Sequence, residues 1–184
     1  MKKMLKVILL IIAVLFLGLV FFAGYMGFFT TVKIYEKEVG PYTYVFKEFK
    51  GDYKLTGPVF DEVYTNINKM GIKTECGIGV YFDDPKVTKT ENLRSNCGVI
   101  IKQEDSGKIK DLPAILKTGK LDKLKRIVAE FTIKNYLSYM IGPMKAYPAL
   151  AKYAKENGYN DASVGYEIYD EKAGKIYYIM DIVK

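Results

Sequence analysis

The sequence predicts an α+β fold: a duplicated antiparallel sheet with two helices on one face, preceded by one transmembrane helix. Three observations predict it. Val7 to Phe29 run 23 residues without a charge; a Gly-Pro helix opening occurs twice, at Gly57-Pro58 and Gly142-Pro143; and each opening precedes a similar strand, IGVYFDD from Ile78 and VGYEIYD from Val164. The distance from Gly57 to Gly79 is 22 residues, and from Gly142 to Gly165 it is 23. Two tandem β-β-α-β-β-like halves, residues 31–105 and 120–184, imply a pseudo-twofold axis with a groove where they meet.

The apolar run would be roughly 35 Å long as a helix, enough for a hydrocarbon core of about 30 Å. A signal peptide usually has a shorter apolar core followed by small residues. Here bulky Tyr25, Met26, Phe28 and Phe29 follow Ala23 and Gly24, and no cysteine comes directly after the run. Residues 1–30 are therefore expected to be an uncleaved single-pass anchor in the cell membrane, with 7–29 in the lipid, and 31–184 to form the soluble domain. Lys2, Lys3 and Lys6 precede the run, while Lys33 and Lys37 after it are mixed with Glu36 and Glu38. The positive-inside rule then puts the domain on the extracytoplasmic side.

Composition narrows the function. The net charge is +7, but setting the three N-terminal lysines aside leaves 25 basic against 21 acidic residues. They alternate in segments such as KIYEKE, so no stripe for nucleic acid is expected. The absence of histidine removes Ser–His and Cys–His catalysis. Cys76 and Cys97 cannot make a zinc site alone; a disulfide or two buried thiols both remain open. No metal and no cofactor are expected. The 16 Tyr and 10 Phe without any Trp suit a groove or sheet face, since a phenol needs a polar partner.

In the first half, KIYEKEV and YTYVFKEF read as strands. GPVFDEVYTNINKMG reads as a helix with Val59, Phe60, Val63, Ile67 and Met70 on one stripe. Thr56 suits its N-cap, Pro58 its first turn and Gly71 its stop. In the second half, LKRIVAEFTI and YLSYMI are strand-like. The helix PALAKYAKENG starts at or just before Pro148, with Tyr147, Leu150, Ala151 and Ala154 on one side and Gly158 as its end. Asn92 to Lys123 reads as the strand CGVIIK plus a connector, and KIYYIMDIV closes the chain.

Strand parity separates two faces. Ile78, Val80 and Phe82 share one with Val164, Tyr166 and Ile168, where the helices are expected to pack. Gly79, Tyr81 and Asp83, with Gly165, Glu167 and Tyr169, share the helix-free side. Tyr81 and Glu167 occupy equivalent places in the two halves. A mid-strand glycine marks close approach of a ligand or backbone. Glu167, Tyr81, Tyr169, Tyr44, Tyr42, Gly79 and Gly165 are thus the candidate ligand site. A carboxylate among rings suits a small hydrophobic or cationic molecule. A solvated Glu167 and a Tyr81 in ordinary cross-strand packing are the plainer alternatives.

The text GPVFDEVYTNINKMGI…YFDDP…LRSNCGV and YPALAKYAKENG…VGYEIYD…IYYIMDIV resembles the GyrI-like, or AraC-type effector-binding, domain across residues 31–184. Within it, the likeness is greatest to the branch of the vertebrate testis-expressed ER-phagy receptor, which also joins an N-terminal membrane helix to this domain. The resemblance implies two SHS2-type halves in one sheet, with a cleft for hydrophobic, often cationic compounds and Glu167 as the acidic contact. That receptor's domain faces the cytosol, against the charge-based orientation above. Regulators of this family carry a DNA-binding helical domain in front, which is not expected here, nor is the receptor's autophagy role. Some members hydrolyse strained cyclopropane compounds with a Glu and a Tyr, and Glu167 and Tyr81 match these. The leading expectation is a membrane-anchored, multidrug-type binding domain. A Glu167/Tyr81 hydrolase and a tethered protein-interaction module are the alternatives.

Overall fold

The computed structural model describes residues 2–160 and 164–184. Helix α1, Lys2–Tyr25, buries none of its residues and is long and apolar enough to cross a membrane. An eight-stranded antiparallel sheet follows: β1 (Lys33–Val39), β2 (Tyr42–Lys50), β3 (Thr74–Tyr81), β4 (Arg94–Ile101), β5 (Lys117–Leu121), β6 (Leu124–Thr132), β7 (Gly165–Asp170) and β8 (Lys175–Asp181). Helix α2, Gly57–Lys69, connects β2 to β3, and α3, Ser138–Glu156, connects β6 to β7.

The strands lie in the order β1-β6-β8-β7-β3-β4-β2-β5. Exchanging each of β1–β4 for the strand four later reverses this order, as a twofold axis between β7 and β3 requires. The register places the axis at one residue pair. Val80 faces Tyr166, with Gly79 opposite Glu167 and Tyr81 opposite Gly165, so Tyr81 and Glu167 are related by the rotation, as are the two glycines. The outer strands are exchanged: β1 pairs with β6 of the second half, and β5 with β2 of the first.

This order forces the sheet to curl. β1 and β2 stand six positions apart, roughly 29 Å in a flat sheet, yet only Gly40 and Pro41 separate them in the chain. Such a link reaches about 11 Å. Asp122 and Lys123 impose the same closure on β5 and β6. The concave side therefore has its own core, with Val39, Ile78, Val80, Ile100, Val128 and Ile179 buried beneath rings such as Tyr42 and Tyr177 and no helix in the cluster.

The helices cover the convex side. Val63 and Ile67 of α2 pack with Val45, Val99 and Ile101. Ala146, Leu150 and Ala154 of α3 pack with Ile127, Ala129 and Phe131. Pro58 lies in the first turn of α2, and Gly71 after it has φ 66°.

Three expectations are corrected here. The helices pack on the Glu167 face, not on the Ile78–Val80 face; the strand order buries the latter by curvature instead. Helix α3 begins at Ser138 and runs through Pro143 and Pro148, so YLSYMI contributes its first turns and is not a strand. Apolar contacts on the sheet outweigh the backbone bonds the prolines omit. The stretch taken as a connector contains β5, which supplies the missing edge strand.

Candidate functional site

On the convex face one row of the sheet runs Ala129, Tyr178, Glu167, Gly79, Cys97, Lys47 across β6, β8, β7, β3, β4 and β2. Glu167 stands near its middle, 5% exposed. Tyr147 of α3 donates its hydroxyl to Glu167 Oε1 at 2.7 Å, and Tyr169 donates to Oε2 at 2.7 Å. The Tyr81 and Tyr169 hydroxyl oxygens are 2.8 Å apart. Since the Tyr169 proton is committed to the carboxylate, Tyr81 is the donor. The hydroxyls form a line, Tyr81 to Tyr169 to Glu167, met from the other side by Tyr147.

The glycines make room for these rings. A Cβ at Gly79 would lie 2.7 Å from a ring carbon of Tyr81, and one at Gly165 would lie 3.0 Å from the Tyr147 hydroxyl oxygen. The mid-strand glycines therefore accommodate the protein's own phenols. Further rings wall the group: Phe60 of α2 lies edge-on to Tyr169 at 5.4 Å, Tyr139 at 6.0 Å, and Tyr53 edge-on to Tyr81 at 4.9 Å. Tyr178, edge-on to Tyr147 at 5.7 Å, has a buried hydroxyl with no hydrogen-bond partner among the described residues.

The electrostatics follow from burial without a counter-charge. Among the described residues no lysine or arginine pairs with Glu167. Desolvation pushes its carboxyl up to about 7, against the opposing hydrogen bonds from Tyr169 and Tyr147. The Tyr81, Tyr147 and Tyr169 phenols are held well above their usual range, first by desolvation and then by the neighbouring carboxylate. Such a carboxylate can receive a desolvated cation or hold a proton near neutral pH.

Of the residues singled out in the sequence, Glu167, Tyr81, Tyr169, Gly79 and Gly165 come together. Tyr42 and Tyr44 do not: both lie in the concave core. Tyr42 there lines a separate cavity of about 200 Å³ with Lys37, Cys76, Asp170 and Tyr177. The expected open groove on a helix-free side is likewise corrected, because helix α3 covers Glu167. Sequence reasoning missed Tyr147, although it placed that residue on the buried side of its helix. The signal was available: a buried phenol needs a polar partner. Both cysteines are free. Cys76 is on the concave side, its thiol raised to about 11 by burial, and Cys97 is on the convex side, so the disulfide alternative falls.

The family model of the GyrI-like small molecule binding domain matches residues 33–183. This chain belongs to the GyrI-like family. Among solved structures, the EcmrR C-terminal domain has a TM-score of 0.59 and 13% identity over 83% of this chain and 98% of that one. EcmrR in its DNA complex gives 0.57 and 16%, again over 83% of this chain, which spans only 58% of that protein. A hydrolase encoded by lin2189 from Listeria innocua gives 0.51 and 11%, covering 82% and 91% of the two chains. SAV2435, solved bound to tetraphenylphosphonium, gives 0.50 and 10%, covering 82% and 93%. At these identities the likeness shows the fold. Comparison with curated proteins gave no match.

Proposed function

We propose that the domain binds a small hydrophobic cation with Glu167 as its charge partner, and that α1 anchors it in a bilayer as a single span. The observation that carries this reading is a carboxylate 5% exposed, without a counter-ion among the described residues, inside a box of tyrosines. A cation entering that box supplies the missing charge, and the rings present their faces to it. The likeness to SAV2435, solved with a lipophilic cation, supports the ligand class. Entry requires the cover to shift, since Tyr147 rides on α3 and Phe60 on α2. Tyr81, Tyr169 and Tyr147 then become walls, and Gly79 and Gly165 the floor.

Tetraphenylphosphonium tests the reading on the full chain in detergent, with triphenylphosphine oxide as the neutral counterpart. Glu167→Gln is expected to weaken the cation about ten-fold or more and to leave the neutral compound unchanged. Binding of the cation should also tighten from pH 5.5 to pH 8 as the Glu167 carboxyl, at about 7, ionises. Equal cation affinity for native protein and Glu167→Gln defeats the proposal.

A second reading is hydrolysis. It is favoured by the hydroxyl line from Tyr81 through Tyr169 to Glu167, which can carry a proton between a substrate and a carboxyl poised near neutrality, and by the likeness to the lin2189 hydrolase. Turnover of strained lipophilic compounds that is lost in both Glu167→Gln and Tyr81→Phe would establish it. Turnover surviving in either variant would remove it.

A further inference from the structure

The end of α1 is tied to the beginning of α3. Asn135 donates its side-chain amide to the Tyr25 carbonyl, and Lys145 donates to the carbonyls of Phe28 and Thr30. Met26 packs in the same cluster as Tyr139 and Ile141. One residue past Asn135 begins a row of large side chains with no cover: Tyr136 is 80% exposed, Met140 54% and Met144 71%. At four-residue spacing these share one side of the segment, while Ile141, Ala146 and Leu150 face the sheet. From Ile133 to Lys155 the chain has no acidic residue and carries Lys134, Lys145, Lys152 and Lys155. A segment with a Met and Tyr row, flanking lysines and no carboxylate before Glu156 at its far end has the makeup of one that lies in a headgroup layer.

We propose that the turn before α3 and the first half of α3 form a membrane-interfacial surface, with Tyr136, Met140 and Met144 seated in the headgroup layer beside the point where α1 leaves the bilayer. The inference rests on α1 being a membrane span and goes beyond the ligand reading. Continuity identifies the occupant. The apolar run of α1 continues through exposed Phe28 and Phe29, and the bond from Asn135 to the last residue of α1 holds the row close to it. Lys134, two residues before Tyr136 and in no ion pair among the described residues, offers its ammonium to lipid phosphates, and the aromatic ring of Tyr136 suits the same depth. The arrangement also bears on the buried carboxylate. Tyr147, which closes over Glu167, follows Met144 on the same helix. The cover of the site then stands on the membrane, and a ligand dissolved in lipid meets it without a passage through water.

The chain contains no tryptophan, so a single introduced one reports its own surroundings. The full chain is reconstituted into vesicles of phosphatidylglycerol and phosphatidylcholine, with and without bromine on the acyl chains. Phe22→Trp probes the span, and Val87→Trp, a site 84% exposed between β3 and β4, serves as the water-facing control. Bromine is expected to quench Phe22→Trp strongly, to quench Tyr136→Trp, Met140→Trp and Met144→Trp about two-fold, and to leave Val87→Trp unchanged. Quenching of Phe22→Trp without quenching at any of the three positions 136, 140 and 144 overturns the interfacial surface and leaves the span standing. No quenching of Phe22→Trp overturns the span, and the surface with it.

Discussion

Glu167 has a titration of opposite sign to the other shifted carboxyls. Glu36, Asp83, Asp105 and Glu130 are lowered by cationic partners, whereas Glu167 is raised from 4.5 to about 7 by burial. Its folded form therefore holds a proton that the unfolded form has lost between those two values. The stability this contributes is complete below about 4.5 and disappears as pH rises through about 7, a swing of about 3 kcal/mol. Thermal melts of the full chain in detergent should show Glu167→Gln with a flatter profile across that window and a higher Tm than native protein at pH 8. Gly79 offers a second test, since a methyl there meets the Tyr81 ring at 2.7 Å. Gly79→Ala should cost about 2 kcal/mol in urea unfolding and displace Tyr81. Parity correctly grouped Glu167, Tyr81 and Tyr169 on one side of the sheet. It could not tell which side the helices take, because apolar Ile78, Val80 and Ile168 signal burial without naming what buries them.

At the scale of elements, α2 was legible almost to its ends because Pro58, the Val63–Ile67 stripe and Gly71 agree with one another. α3 was not. Its opening turns, SYMIGPM, mix Tyr139 and Ile141 with Gly142, and its two prolines argue locally against a helix that only sheet contacts stabilise. β5 was hidden for another reason: KTGKL buries just Leu121, so a short edge strand with two lysines reads as a loop. The bond from Tyr147 to Glu167 ties α3 to the sheet and favours the ionised carboxylate. Tyr147→Phe should then move the pH midpoint of tetraphenylphosphonium binding upward. It should also lower stability by about 1 kcal/mol, which denaturant titration would read.

At the scale of the whole molecule, duplication was the most informative thing in the sequence. The Gly-Pro spacing and the paired strand texts locate the axis that the register places at Val80 and Tyr166. The curl was not legible, since it follows from long-range pairing and the short links at 40–41 and 122–123. Arg126 helps to hold that curl. It is 2% exposed, its Nε donates to Asp181 at 2.6 Å, and its Nη1 donates to the carbonyls of Val39 at 3.0 Å and Asp122 at 2.7 Å. It thus joins the ends of β1 and β8 to the turn after β5. Arg126→Ala should destabilise by about 3 kcal/mol or more in urea unfolding, since two carbonyls lose their buried donor and Asp181 its partner.

The exchange of outer strands has a consequence for how such a chain is made. The first strand of the domain, β1, stays single until β6 has been synthesised, and the border of β2 remains unsealed until β5 arrives. Neither copy of the motif is complete without a segment lent by the other. The two edges can pair once residues 117–132 have been made, but β1-β6 and β3-β4-β2-β5 stay separate pieces until β7 and β8, residues 165–181, bridge them.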